Sequence, residues 1–184
     1  KGEEFNVSCS LFGLQHANNI GYACAAAELL GVSISAAAKG ISEMMPLGGR
    51  GLCKRSVSGG WVIDEAYNAN PASVGAAIEN VRAAAESLGL QKYAVLGGMR
   101  ELGESAPEWH GDILGKVSDF NNVLLTGEEW RSCGALPGNA RIFSSLDEII
   151  VEIKSIGLGG KIVLVKGSNS YGLKRVVEAL TEAM

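Results

Sequence analysis

The chain has 184 residues, 47% of them hydrophobic and 20% charged, which is typical of one globular domain with at most an appended piece. Its net charge of −4 argues against a nucleic-acid partner, and no apolar run reaches the roughly 18 residues that a membrane-spanning helix needs. The four cysteines, Cys9, Cys24, Cys53 and Cys133, form no CxxC pair, which favours reduced thiols in a cytoplasm over a disulfide framework or a zinc site.

The first part of the chain predicts a short extended start at residues 4–11 and then a helix. We expect this helix to be capped by Asn18 or Asn19 and to end at Gly31. Its spacing predicts an inward face formed by Ile20, Ala23, Ala27 and Leu30.

A second helix is predicted from about Ser35 to the residue before Pro46, followed by a loop over residues 47–52. Three of its apolar residues are expected to point inward: Ile41, Met44 and Met45.

After residue 51, short apolar runs alternate with amphipathic helices. The runs predict strands at residues 61–63, 93–96, 123–125, 141–143 and 162–165. Helices are predicted at residues 71–88 and 106–117, after the capping pair Ser145 and Glu148, and at the end of the chain. Asn70 before Pro71 and Gly89 mark the ends of the first of them. Its inward face is predicted to comprise Val74, Ala77, Ile78, Val81, Ala85 and Leu88.

This alternation predicts an α/β fold, with a mostly parallel, Rossmann-like sheet covered by helices on both faces. Right-handed crossovers bring the carboxyl ends of parallel strands to one edge of the sheet, which is where such folds bind ligands. The loops expected there are rich in glycine, asparagine and serine, and suit a polar or phosphorylated small molecule: residues 65–70, 97–103, 126–127 and 166–170.

The segment from Lys166 to Ser170 is the clearest candidate for an anion site. A lysine that leaves a strand, followed by a glycine and hydroxyls at a helix start, can bind an anion through its charge and through backbone amides. The alternative is a helix cap beside a solvated lysine. The segment is not a P-loop, because the GxxxxGK[ST] spacing is absent.

Asp64 and Glu65 follow one another at the end of the first predicted strand of the sheet, so their side chains point to opposite faces. One of them is a candidate for ribose hydroxyls, and a structural or solvated role stays open for either. The polar turn of Tyr67, Asn68 and Asn70 is either functional or an Asx turn.

Other polar residues give weaker indications. Arg50, between two glycines, is a candidate for a phosphate or a ribose, whereas His110 is expected to pack in the fold or lie on its surface. Three carboxylates are interpreted as a solvated face: Glu101, Glu104 and Glu108. No catalytic triad or metal constellation is visible, so these residues alone indicate only a ligand-binding α/β domain.

Several motifs occur in a recognisable order along nearly the whole chain. They are VIDEAYNANP at residues 62–71, LGGMRELG at 96–103 and VKGSNS at 165–170, preceded by a helix at 13–25 and a Gly-Arg turn at 49–50. Together they resemble the Mur ligase family, and within it the branch that handles D-alanyl-D-alanine.

The resemblance implies an ATP-dependent ligation that joins D-alanyl-D-alanine to UDP-MurNAc-tripeptide through an acyl phosphate. It implies that residues 1–52 end the central ATPase domain and that residues 53–184 form the C-terminal Rossmann-like domain. We expect a cytoplasmic, monomeric enzyme, of which this chain is a piece because it opens with Lys1.

The resemblance also assigns roles to residues. ATP binding is expected at Asn19, Arg50, Asp64 and Glu65. Phosphate or acceptor binding is expected at Tyr67, Asn68, Asn70, Lys166, Ser168, Asn169 and Ser170. No catalytic residue is expected in this chain, and its isolated form is expected to be inactive. The reason is that the family's P-loop, carbamylated lysine and Mg ligands fall upstream of Lys1.

The chain departs from the family pattern at four places. Gln15-His16 stands where the family has His-Asn, Glu65 and Gly98 each stand where it has an aspartate, and Asn169 stands where it has an arginine. Losing that arginine removes a bidentate carboxylate donor. A non-catalytic nucleotide- or peptide-binding module is therefore the alternative, and a nicotinamide-dependent oxidoreductase would rest on the fold alone.

Overall fold

A computed structural model describes residues 5–181 and contains one six-stranded sheet. Its strands are β1 (Leu52–Arg55), β2 (Trp61–Glu65), β3 (Gln91–Gly97), β4 (Asn122–Thr126), β5 (Ala140–Phe143) and β6 (Lys161–Lys166). They are arranged in the order β1-β2-β6-β3-β4-β5. The helices are α1 (Gln15–Leu29), α2 (Ile34–Ser42), α3 (Pro71–Leu88), α4 (Ala106–Lys116), α5 (Leu146–Ile156) and α6 (Lys174–Leu180).

The sheet confirms the predicted α/β architecture. β2, β6, β3, β4 and β5 are parallel, with β6 and β3 paired at the centre, for example at Val163 and Tyr93. β1 was not predicted, because it has only four residues and two of them, Lys54 and Arg55, are charged. It pairs antiparallel with β2 at one edge of the sheet.

The core consists of two layers, one on each face of the sheet. Neighbouring strand residues supply opposite layers, as Ile63 and Val62 do on β2. α3 and α4 cover the layer that contains Ile63, and α5 and α6 cover the layer that contains Val62. This alternation is what a parallel sheet covered on both faces requires.

α3 has the predicted bounds. Asn70 accepts a hydrogen bond from the Ser73 amide, Pro71 occupies the first turn, and Gly89 ends the helix at φ 64°. The predicted inward face is buried except for Leu88, which is 59% exposed. Helical spacing identifies a face, but it does not say where the sheet beneath that face ends.

The N-terminal helices differ most from the expectation. α1 begins at Gln15 with no side-chain cap, so Asn18 and Asn19 lie inside it, and it buries no residue; Ala23 and Leu30 are exposed. In this part of the chain there is no sheet for an apolar stripe to cover, so periodicity overestimates burial.

α2 is capped by Ser33 and ends at Ser42. Ile41 is buried as predicted, whereas Met44 and Met45 lie beyond the helix end and are exposed. Of the predicted extended start, Glu4 falls outside the described residues, and no strand occurs in residues 5–11. None of the helices between residues 5 and 181 is both long enough and apolar enough to cross a membrane.

Candidate functional site

Three of the four predicted loops, at residues 65–70, 97–103 and 166–170, line two cavities at the carboxyl edge of the sheet. The fourth, at residues 126–127, lines neither cavity and is joined to the second by a backbone bond at Gly98. The Arg50 cavity, of about 570 Å³, is lined by Gln15, His16, Gly49, Arg50, Glu65, Tyr67, Asn68, Asn70, Ala72, Ser73, Ala76 and Lys166. The Arg100 cavity, of about 740 Å³, is lined by Asn68, Ala69, Asn70, Arg100, Glu101, Leu102, Ser168, Asn169 and Ser170. Asn68 and Asn70 line both, so the two cavities adjoin.

Lys166 is the buried cation of this edge. Its side chain is 2% exposed, and Nζ lies 3.1 Å from Oε2 of Glu65 and donates to the Asn68 carbonyl at 2.9 Å. Burial lowers the pKa of the Lys166 ammonium, and the charge of Glu65 opposes this fall. The interpretation as a solvated lysine is therefore wrong.

Asp64 and Glu65 point to opposite faces, as predicted. Glu65 lines the Arg50 cavity, whereas Asp64 lines a separate cavity of about 280 Å³ together with Tyr67 and Asn169. Asp64 is 3% exposed, and its Oδ1 accepts the Ala66 amide at 3.2 Å. The two carboxylates thus serve different cavities and do not form an acid-base pair.

Arg50 lies over the aromatic ring of Tyr67, and both residues line the Arg50 cavity. Its guanidinium carbon lies 4.2 Å from the centroid of Tyr67, whose amide donates to the Gly49 carbonyl at 3.3 Å. Gly49 has φ 79°, and a Cβ there would lie 2.8 Å from Cβ of Tyr67. Only glycine fits this close approach without strain.

Asn68 and Asn70 also make local bonds. Oδ1 of Asn70 accepts the Ser73 amide at 2.8 Å and so caps α3, while Oδ1 of Asn68 accepts the Ala69 amide at 2.8 Å. Local bonds therefore hold the turn, and both residues also line the cavities, so a binding role stays a prediction.

Backbone bonds join the loops of β3, β4 and β6. Gly98 donates to the Thr126 carbonyl at 3.0 Å and accepts from the Ser168 amide at 3.2 Å. Oγ of Ser168, which is buried, accepts the Arg100 amide at 3.0 Å. Asn169 and Ser170 follow as exposed residues at the cavity wall.

Glu129 is a residue of this edge that the sequence analysis missed. Its carboxylate accepts a hydrogen bond from the Tyr171 hydroxyl and lies 3.1 Å from Nη1 of Arg100. Burial raises the pKa of the Glu129 carboxyl, but the bond from Tyr171 and the charge of Arg100 outweigh this and lower the pKa below its usual value. It comes from a short 3-10 turn after β4, and no motif in the sequence marks it.

The Glu129 carboxylate also lies against Gly98. A Cβ at Gly98 would lie 2.5 Å from Oε2 of Glu129 and 2.8 Å from the Tyr171 hydroxyl. The place where the resemblance leads one to expect an aspartate is thus filled by a carboxylate from another loop.

His110 has a structural role. It is fully buried, its Nε2 accepts the Met99 amide at 3.0 Å, and its Nδ1 bonds the Ala106 carbonyl at 2.7 Å. Its ring also packs edge-on against Trp130 at 4.6 Å. Of the two expectations for His110, packing in the fold is therefore confirmed and a position on the surface is not. The acidic residues interpreted as a solvated face are indeed exposed: Glu101, Glu104 and Glu108.

Asn19 is exposed on α1 and lines neither cavity. The α1 residues at the Arg50 cavity are Gln15 and His16, and the buried Nε2 of His16 has no hydrogen-bond partner within residues 5–181. In the same residues the four cysteines are free, and no group of three His, Cys, Asp or Glu side chains could hold a metal ion.

Residues 49–169 match a family model described as "Mur ligase, glutamate ligase domain". Two relatives are named UDP-N-acetylmuramoyl-tripeptide–D-alanyl-D-alanine ligase. The one from Escherichia coli is 28% identical over 94% of this chain and 39% of its own length, and the one from Bacillus subtilis is 28% identical over 100% and 41%. The chain thus spans about two fifths of the length of these relatives.

Solved structures show the same fold. The MurF ligase from Thermotoga maritima in complex with ADP has a TM-score of 0.82 and 22% identity, over 95% of this chain and 40% of that one. The folylpolyglutamate synthase of Mycobacterium tuberculosis, complexed with ADP and AMPPCP, has a TM-score of 0.67 and 19% identity, over 93% and 41%.

Proposed function

The chain belongs to the Mur ligase family, and from this premise we propose that it is the C-terminal part of an ATP-dependent ligase. The proposed reaction joins D-alanyl-D-alanine to UDP-MurNAc-tripeptide. The observation that carries this proposal is the match of 94% of the chain to a relative named for that reaction. This domain would close over ATP and help to bind the acceptor.

The proposed chemistry has two steps. The terminal carboxylate of the tripeptide attacks the γ-phosphorus of ATP, which forms an acyl phosphate and releases ADP. The amine of D-alanyl-D-alanine then attacks the acyl carbon, forms the amide and releases inorganic phosphate. This chain would contribute binding and orientation, which are worth much of the barrier in a two-substrate reaction.

We assign ATP to the Arg50 cavity. Arg50 stacks on Tyr67 and has a charge suited to phosphates, and Glu65, which lines the same cavity, is the proposed contact for the ribose hydroxyls. Asp64 lines the separate cavity of about 280 Å³, so it would reach the ribose only from outside the Arg50 cavity. Lys166 is neutralised by Glu65, so its role would be to fix the loop and the carboxylate. Asn19 stays a proposed adenine contact from α1.

We assign the acceptor and the transferred phosphate to the region where the two cavities adjoin. Its proposed contacts are neutral donors and acceptors at the cavity walls: Tyr67, Asn68, Asn70, Ser168, Asn169 and Ser170. Mg²⁺ belongs to the proposed reaction, where it would neutralise phosphate charge, and its ligands are proposed to lie upstream of this chain.

The domain assignment is also a proposal. Residues 1–52 would end the central ATPase domain, and residues 53–184 would form the C-terminal domain. Support comes from exposed apolar side chains on and around α1 and α2, since a surface of this kind is typical of a face that another part of a protein covers. They include Leu14, Tyr22, Leu29, Leu30, Met44 and Met45. We propose a monomeric, cytoplasmic enzyme.

The test compares the natural gene product that contains this sequence with the 184-residue chain alone. Phosphate release is measured with ATP, UDP-MurNAc-tripeptide and D-alanyl-D-alanine together, and with each omitted in turn. We expect turnover that needs all three, and only in the longer protein. Intact mass of the natural product is measured first. Turnover by the isolated chain would contradict the proposal that it is inactive alone.

The alternative is a non-catalytic nucleotide- or peptide-binding module derived from the same domain. It is favoured by Gly98 and Asn169, where the family pattern has charged residues. A natural gene product of about 19 kDa, which is the mass of this chain, would favour this alternative. Affinity for D-alanyl-D-alanine without turnover, improved in the variant Asn169→Arg, would support it.

A further inference from the structure

Arg100 is the one cationic residue among those that line the Arg100 cavity in the described chain. Its side chain is 56% exposed, so it is open to a ligand. The loop that carries it is tied to the β6 loop, because the Arg100 amide donates to Oγ of the buried Ser168. The guanidinium is therefore presented from a backbone position that two loops fix.

Glu129 and Tyr171 hold this guanidinium from one side. Nη1 of Arg100 lies 3.1 Å from Oε1 of Glu129, and its guanidinium carbon lies 4.9 Å from the centroid of the Tyr171 ring. Tyr171 in turn donates its hydroxyl to Glu129. Among residues 5–181 no hydrogen bond occupies Nε or Nη2 of Arg100, so part of the planar guanidinium remains available.

We propose that Arg100 binds the terminal carboxylate of the acceptor dipeptide, and that Glu129 is its positioning residue. This inference rests on the proposed ligase function. A guanidinium can bind a carboxylate through two parallel N–H bonds, which fixes both its position and its orientation. Arg100 would then supply, from the β3 loop, the guanidinium that the β6 loop lacks at Asn169.

The charges around Arg100 favour a carboxylate over a phosphate. Glu101 also lines the cavity and Glu129 lies against the guanidinium, so two carboxylates accompany the one cation. These two carboxylates would repel a phosphate group, with up to two negative charges, more strongly than a carboxylate with one, and Nε and Nη2 of Arg100 supply the two parallel N–H donors that a carboxylate needs. The other lining groups, such as Asn70 and Ser170, are neutral and suit the polar ends of a dipeptide.

The test uses two acceptors and the natural gene product. D-alanyl-D-alanine has the terminal carboxylate, and D-alanyl-D-alaninamide lacks it and is otherwise matched. In Arg100→Gln we expect the KM for the dipeptide to rise on the order of tenfold to a hundredfold, which is the range for a hydrogen-bonded charge pair. The KM for the amide should stay within about twofold, since it has no carboxylate to lose.

The matched control is Arg131→Gln. Arg131 is equally exposed, at 55%, and pairs with Glu128 on the turn that also carries Glu129, but it does not line the cavity. We expect both KM values to equal those of the unchanged protein. The double variant Arg100→Gln with Asn169→Arg should recover part of the preference for the carboxylate.

Glu129→Gln tests the positioning role. It keeps the shape of the side chain and removes the charge that orients Arg100, so the KM for the dipeptide should rise by less than in Arg100→Gln while kcat is retained. An equal loss with both acceptors would instead indicate a merely structural role and overturn the positioning assignment.

The outcomes separate the two proposals. If the unchanged protein shows no turnover with D-alanyl-D-alanine, the proposed function fails and this inference fails with it. If it turns over but Arg100→Gln leaves the dipeptide-to-amide preference intact, only the assignment of Arg100 is overturned. Arg100→Lys keeps the charge but lacks the planar fork of donors, so its KM for the dipeptide should lie between those of the unchanged protein and Arg100→Gln. This order would also show that the effect of Arg100→Gln is not a folding defect.

Discussion

Nζ of Lys166 lies 3.1 Å from Oε2 of Glu65, and the two residues are register partners on the neighbouring parallel strands β6 and β2. The pair joins the last residues of two strands at the ligand edge of the sheet. Because Lys166 also donates to the Asn68 carbonyl, one buried ammonium fixes both the strand ends and the turn that borders the two cavities. Breaking it should therefore affect stability as well as binding.

Lys166→Met is expected to destabilise the chain by about 3 kcal/mol, since removing one partner leaves a carboxylate unpaired in a largely buried place. Urea unfolding monitored by circular dichroism measures this. The double variant Lys166→Met with Glu65→Leu should recover most of the loss, because no charge is then left without a partner. A double variant as unstable as the single one would contradict this account.

Gly98→Ala is expected to cost about 1–3 kcal/mol, which is typical of overpacking, because the added Cβ would lie 2.5 Å from the Glu129 carboxylate. In a background with Glu129→Ala and Tyr171→Phe the same change should cost much less, since the two obstructing groups nearest to the added Cβ are then absent. A double-mutant cycle from denaturant unfolding measures the coupling. Additive effects would mean that Gly98 is required for its backbone alone.

Acid should weaken the cluster formed by Asp119, Arg82 and Lys92. Nε and Nη2 of Arg82 donate to the Asp119 carboxylate at 3.1 and 3.0 Å, and Nζ of Lys92 donates to Oδ2 of Asp119 at 2.5 Å. The bonds from Arg82 hold the pKa of the Asp119 carboxyl well below its usual value. A carboxyl whose pKa is lowered on folding contributes stability above its unfolded pKa of about 3.9, and that contribution is lost as the pH falls below it.

The variant Asp119→Asn isolates this effect. At pH 7 we expect it to be less stable than the unchanged chain, and between about pH 5 and pH 2 its stability should fall less steeply. The two stability curves should therefore converge in acid. Unfolding midpoints measured at intervals across this range provide the check, and parallel curves would show that Asp119 does not carry the acid response.

Local signals in the sequence predicted the sheet and its best-defined helix. Asn70, Pro71 and Gly89 mark the ends of α3 because capping and φ preferences act on neighbouring residues. Glu129 was missed because its partners, Arg100 and Tyr171, are 29 and 42 residues away and meet only through the order of the strands. Lys166 and Glu65 were each found, but their pairing across 101 residues was not.

The absence of buried residues in α1 has a consequence for how the described chain unfolds. α1 is tied near its start by Leu14 and Gln15, which both bond the Asn80 side chain. Releasing it would break a few bonds worth about 1 kcal/mol each and would leave the two core layers intact. Amide protons of α1 should consequently exchange with deuterium through local opening, orders of magnitude faster than those of α3, which open with the sheet. Similar exchange rates in both helices would show that α1 unfolds together with the core.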